Sequence, residues 1–147
     1  MPQSLSLVIV HVIFSTKDRA NVLDKNISRE LYLYLAKIAR NNDCECYRAG
    51  GASNHVHLAI RLPRTITMAK LIEELKTSST KWLKPRLPDF SWQRGYGAFS
   101  VGPSDLSALL AYIDTQEEHH RKHSFEDEFR ALLKKYGVEH DEQYMWD

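Results

Sequence analysis

The stretch His55-Val56-His57-Leu58-Ala59-Ile60-Arg61 alternates two chemistries over the length of a strand. Side chains of a β-strand point to opposite faces in turn, so Val56, Leu58 and Ile60 share one face and His55 and His57 the other. The apolar face demands a covering layer. The histidine face demands partners for two imidazoles placed one residue apart. A chain of 147 residues, 43% of them hydrophobic, can supply both as one domain spanning 1–147.

Other segments fall into place around that strand. The run L-S-L-V-I-V-H-V-I-F (5–14) is rich in β-branched residues and reads as a buried strand. A helix is expected from Ile27 to Arg40, with Ile27, Leu31, Leu35 and Ile38 on one stripe and Asn26 as N-cap. E-C-Y-R-A (45–49) gives a second strand. Gly50-Gly51 then turn the chain into the strand 55–61, antiparallel to it. After Pro63 a helix is predicted over 67–83, ended by Pro85 and Pro88. G-A-F-S-V (97–101) is a fourth strand. Ser104 is the expected cap of a helix over 104–119, and Ser124 with Asp127 the capping box of a last helix that stops at Gly137. The order β-α-β-β-α-β with two further helices predicts an α+β fold: a ferredoxin-like split-βαβ antiparallel sheet, similar in outline to RNA-recognition modules.

Charge is near neutral in sum but uneven along the chain. Residues 1–60 carry seven Lys/Arg against five Asp/Glu, residues 61–102 eight against three, and residues 103–147 five against eleven. A basic middle suits a surface offered to a polyanion, and equally suits a solvated helix face followed by an acidic tail. Cys44 and Cys46 are too close for a good disulfide and lack zinc spacing, so both are expected reduced. The apolar run at the start lacks a basic leader and is interrupted by Ser6 and His11. The expectation is a cytoplasmic protein with no membrane association.

His55 and His57 lie about 6.6 Å apart along one strand face, close enough to lean together onto one metal ion. Two ligands do not make a site. The helix over 104–119 offers more: Leu106, Leu109, Leu110 and Ile113 form its core stripe, while Tyr112 and Gln116 stack one turn apart on the shoulder, with His120 and His123 continuing the column. Such a column can look into a cleft beside the sheet. Plainer readings stand beside this one: two histidines hydrogen-bonded on a half-exposed strand, and an amphipathic tyrosine at the core rim. A tyrosine titrating near 10 is a poor nucleophile at neutral pH. It becomes effective against a phosphodiester when a divalent ion polarises the phosphate.

These residues resemble a known family. H-V-H at 55–57 together with Tyr112 and Gln116 as Y-x-x-x-Q is similar to the single-tyrosine HUH transposases, the TnpA-like enzymes of the insertion-sequence 200/605 group. The likeness extends to H-V-I-F-S-T-K-D-R at 11–19, S-N-H-V-H-L at 53–58, F-S-W-Q-R-G-Y-G-A-F-S-V at 90–101 and Y-I-D-T-Q-E-E-H-H-R-K-H-S-F-E-D-E-F at 112–129. The resemblance implies that His55, His57 and Gln116 hold Mg²⁺ or Mn²⁺ and that Tyr112 attacks single-stranded DNA, leaving a 5′-phosphotyrosine and a free 3′-hydroxyl. It also implies a homodimer that binds hairpins at element ends, often with the tyrosine of one subunit serving the histidines of the other.

Arg61, Arg64, Lys81, Lys84, Arg86 and Arg94 are candidate phosphate contacts, and Trp92 and Tyr96 candidate stacking platforms for bases; Trp82 and Phe99 read better as core. His119, His120 and His123 either tune the site or end a helix favourably. A histidine-triad enzyme would need a third alternating histidine where Ala59 stands, and replication initiators and relaxases need a longer chain. A retained, immobile hairpin nuclease or binding protein related to the transposases is the alternative to a mobile one.

Overall fold

The computed structural model describes residues 2–146. Four strands, β1 (Ile9–Ser15), β2 (Glu45–Ala52), β3 (His55–Arg61) and β4 (Gly97–Val101), form one antiparallel sheet in the order β2-β3-β1-β4. The ordering is the expected split βαβ: β1 and β2 run parallel with β3 between them. Helices α1 (Lys25–Asn41) and α2 (Met68–Leu83) make the two crossovers. The segments α3 (Leu106–Asp114), α4 (Gln116–His119), α5 (Phe125–Tyr136) and α6 (Glu142–Met145) follow the last strand.

The alternation along β1 and β3 divides the interior into two layers. Val10, Val12 and Phe14 join Val56, Leu58 and Ile60 beneath α1 and α2 and form the main core with Leu31, Leu35, Leu71 and Leu75. On the opposite face Ala59 packs with Leu109 and Ile113 of α3, and Ile13 with Phe125 and Leu133 of α5. His11, His55 and His57 lie on this second face, and all three are buried. A sheet covered on both sides leaves no half-exposed histidine strand.

Several boundaries differ from expectation for identifiable reasons. β1 begins at Ile9 rather than Leu5, because its partners end there: Ile9 is opposite Arg61 on one side and Val101 on the other. Leu5, Leu7 and Val8 are consequently exposed. Asp24, not Asn26, caps α1, accepting from the Ile27 amide. Gly50 and Gly51 belong to β2 instead of a turn, and Ser53-Asn54 make the reversal. Gly50 is required there by close approach, since a Cβ would lie 2.7 Å from Ile113 Cγ2 and 3.1 Å from its carbonyl oxygen.

The helix expected over 104–119 is two pieces preceded by a 3-10 turn, Pro103–Asp105, and Ser104 makes no capping bond. The break falls at Thr115, whose hydroxyl donates back to the carbonyls of Ala111 (3.1 Å) and Tyr112 (3.3 Å). Such back-bonding competes with the helical ladder. Ser124 does cap α5, accepting from the Asp127 amide, and Gly137 ends it in the left-handed conformation (φ 65°). The short α6 was not anticipated. No helix among the described residues is long and apolar enough to cross a membrane, and Cys44 and Cys46 are both free thiols.

Candidate active site

β3 carries His55 and His57 to the second face of the sheet, and α3 to α5 close over them. Tyr112 reaches the site because α3 lies against β2 and β3 through Gly50, Ala59 and Ile113. Gln116, first residue of α4, is fully buried, and its Oε1 lies 2.9 Å from His55 Nε2. The Tyr112 ring stands edge-on to His57, with centroids 5.7 Å apart. A single chain therefore brings together the two histidines, the tyrosine and the glutamine singled out by their spacing.

At the centre is a residue that the sequence alone did not single out. Glu128, on α5, is 5% exposed in spite of its charge. Its Oε2 accepts from the Tyr112 hydroxyl and from Gln116 Nε2 (3.0 Å), and its Oε1 lies 3.2 Å from both His57 Nε2 and His120 Nε2. Burial pushes this carboxyl up, but the hydrogen bonds of His120, His57 and Tyr112 outweigh that and hold it well below the usual carboxylate range. Tyr112 moves the other way: burial and then its bond to Glu128 push the phenol above its ordinary value. The sequence signal for Glu128 was a carboxylate on the apolar stripe of a helix, three residues after Phe125 and four before Leu132.

The second unanticipated residue is His11. Its Nε2 shares a hydrogen bond with His57 Nδ1 at 2.7 Å, and the rings stack with centroids 5.0 Å apart. Burial, and then the neighbouring His57, lower its pKa to about 3. His55 is lowered to about 3 by the same two causes in the same order. Both rings are therefore neutral near pH 7, the state in which an imidazole can ligate a metal.

The donor set suits a cation on a point of hydrogen-bond logic. Asn54 Nδ2 donates to the Arg19 carbonyl, which turns Asn54 Oδ1 toward His55 and makes His55 Nδ1 the protonated nitrogen (2.8 Å). His55 Nε2 then carries a lone pair. Gln116 Nε2 donates to Glu128, so Gln116 presents its oxygen to that lone pair. Two acceptors face each other at 2.9 Å, which is favourable only with a positive charge between them. Ligand atoms of His55, His57 and Glu128 all lie within 4.8 Å of one another. The residues fit a divalent ion.

The candidate DNA contacts scatter. Arg61 and Arg64 are exposed at the end of β3 away from the histidines, and Arg61 donates to the Ser6 carbonyl (3.1 Å). Lys81, Lys84, Arg86 and Arg94 are exposed, and Arg86 lies over the Trp82 ring (4.0 Å) and 3.5 Å from Glu30. Tyr96 is exposed. Trp92 is not a platform for bases: it is 8% exposed, packs edge-on against Phe14 and Phe90, and donates from Nε1 to Ser79 Oγ (2.9 Å). Its apolar ring is worth more to the core than to the surface. Phe99 is core, as expected.

Comparison with known proteins agrees with this architecture. Among solved structures, a transposase candidate from Deinococcus radiodurans R1 is similar with a TM-score of 0.64 and 21% identity, over 79% of this chain and 95% of that one. A REP-associated tyrosine transposase bound to a REP hairpin is similar with a TM-score of 0.61 and 17% identity, over 82% of this chain and 74% of that one. At these identities the likeness is one of fold. No curated protein matches the sequence significantly. The family model described as "Transposase IS200 like" matches residues 4–116, which takes in both histidines, Tyr112 and Gln116. The chain belongs to the IS200-like transposase family.

Proposed function

We propose that this transposase cuts and rejoins single-stranded DNA at hairpin-bearing element ends through a covalent bond to Tyr112, with His55, His57 and Gln116 as the ligands of a divalent ion. One observation carries the reading: the Tyr112 hydroxyl, on a late helix, meets the paired imidazoles of β3 around one buried carboxylate. Mg²⁺ or Mn²⁺ held there would polarise the scissile phosphate and offset the charge that develops on it.

The chain's own groups account for the remaining steps. Tyr112 supplies the attacking oxygen; bonding to phosphorus makes that oxygen strongly acidic, and only then does Glu128 Oε2, a weak base that accepts the resting hydroxyl, take its proton. The bond from phosphorus to the 3′-oxygen breaks, and that oxygen gains a proton from solvent to leave as a free 3′-hydroxyl. The 5′-phosphotyrosine keeps the energy of the broken bond, so a later 3′-hydroxyl can displace Tyr112 without a nucleotide cofactor. Asn54 orients His55 and His11 orients His57, and the buried layer of α3 to α5 excludes water that would hydrolyse the intermediate. The hairpin of the REP-associated relative supports a hairpin ligand here.

Tyr112→Phe is the test. With a labelled single-stranded oligonucleotide carrying a hairpin and a divalent ion, the parent should form a covalent adduct visible on a denaturing gel. The variant should form none while still binding the hairpin in a mobility-shift assay. An adduct surviving in Tyr112→Phe refutes the assignment of the nucleophile.

A further inference from the structure

We infer that Glu128 and His120 complete the cation site, making it a five-donor centre with one carboxylate and three imidazoles. The inference rests on the metal reading above and extends the ligand set beyond His55, His57 and Gln116.

Three features converge on it. First, the Nδ1 of each of the three imidazoles is already engaged: His55 with Asn54 Oδ1 (2.8 Å), His57 with His11 (2.7 Å), and His120 with the His123 carbonyl (2.8 Å). Each therefore turns Nε2 inward, and a partner on the outer nitrogen is what fixes a ligating histidine. Second, the separations suit a shared ion. Donors about 2.1 Å from a metal at right angles to one another lie about 3 Å apart. Here His57 Nε2 and His120 Nε2 are each 3.2 Å from Glu128 Oε1, His120 Nε2 is 3.0 Å from Gln116 Oε1, and His55 Nε2 is 3.6 Å from Glu128 Oε1. Third, Glu128 divides its two oxygens, with Oε1 toward the imidazoles and Oε2 toward the Tyr112 hydroxyl. One carboxylate thus ties the position of the tyrosine to occupancy of the ion site.

The chemistry of the set selects the metal. Three nitrogen donors suit Mn²⁺ better than Mg²⁺, which prefers an all-oxygen shell. The carboxylate neutralises part of the ion's charge and strengthens its retention in the free protein.

Two measurements on the full chain test this without reference to cleavage. Mn²⁺ affinity, read by calorimetry or by the paramagnetic signal of the free ion, should fall at least about tenfold in Glu128→Gln and in His57→Ala, the cost of a lost ligand being no smaller than that of a lost outer partner. Pulsed paramagnetic resonance of Mn²⁺ on the parent, which needs no variant to fold, should count three coordinated imidazole nitrogens. If Glu128→Gln binds Mn²⁺ like the parent while His57→Ala does not, the five-donor centre is wrong and the simpler site stands. A count of two nitrogens removes His120 and likewise overturns the five-donor centre. If His57→Ala also binds Mn²⁺ like the parent, the metal reading itself falls.

Discussion

Individual residues at this site are held in protonation states their surroundings dictate, and His11 shows it most simply. It touches His57, is 3% exposed, and has its pKa lowered from 6.5 to about 3 by burial and then by His57. A group whose folded value lies below its unfolded value takes up protons preferentially in the unfolded chain as pH falls. Its contribution to stability is complete above pH 6.5 and is lost progressively toward pH 3. For His11 alone the loss from pH 7 to pH 5 is about 2 kcal/mol. The metal-free protein should therefore melt at markedly lower temperature at pH 5 than at pH 7. His11→Asn, which keeps a polar contact but cannot titrate, should flatten that slope; an equally steep slope in the variant assigns the acid sensitivity elsewhere. His55, His57, Tyr112 and Gln116 were legible in the sequence because each sits at a period its element imposes, two on a strand face and four along a helix. His11 and Glu128 were not, because their roles depend on contacts between segments far apart: His11 to His57 across β1 and β3, Glu128 to Tyr112 across α3 and α5.

At the scale of elements, the placing of the tyrosine depends on how closely α3 approaches the sheet. Gly50 faces Ile113, and a methyl group at Gly50 would meet both a side-chain carbon at 2.7 Å and the backbone carbonyl oxygen at 3.1 Å. A side chain alone can rotate away, but the carbonyl belongs to the helix, so Gly50→Ala must displace α3 itself. Overpacking of this kind costs about 1–3 kcal/mol. The variant should keep its fold by circular dichroism and yet lose at least about tenfold in adduct formation, because sub-ångström misplacement of a nucleophile costs heavily. Retained activity would show that α3 slides without disturbing Tyr112. The sequence conveyed the order of strands and helices through β-branched runs, capping residues and prolines, each a local signal. It misread Gly50-Gly51 as a turn because glycine serves both turns and close approaches, and only the packing of α3 separates the two uses. The break at Thr115 was hidden for a related reason: the apolar stripe continues across it, while the hydroxyl that interrupts the ladder bonds within its own helix.

For the whole molecule, the question is whether one chain or two make an active site. Family resemblance implies exchange of the tyrosine helix between subunits, yet here the chain closes on its own histidines. Opening that arrangement to trade helices would, until a partner's sheet received them, expose Leu109 and Ile113, both buried against Ala59, at about 1.5–3 kcal/mol for each side chain. The opened chain would also lack the bonds from Tyr112 and Gln116 to Glu128 and the approach of Arg48 to Asp114 (3.6 Å). The link between β4 and α3 is short, Gly102 followed by a 3-10 turn, so little slack is available to carry the helix to a partner. β2 and β4 each leave one edge of the sheet free for pairing among the described residues, so two chains can join without trading helices. The expectation is a dimer of two complete sites. Mixing Tyr112→Phe with His57→Ala at a concentration where light scattering gives the dimer mass should then leave adduct formation at background. Exchange of helices would instead restore up to about a quarter of parental activity, the share of sites in random dimers that pair an intact tyrosine with intact histidines. Recovery to that level would place Tyr112 opposite its partner's histidines and show that the closed chain is the resting form.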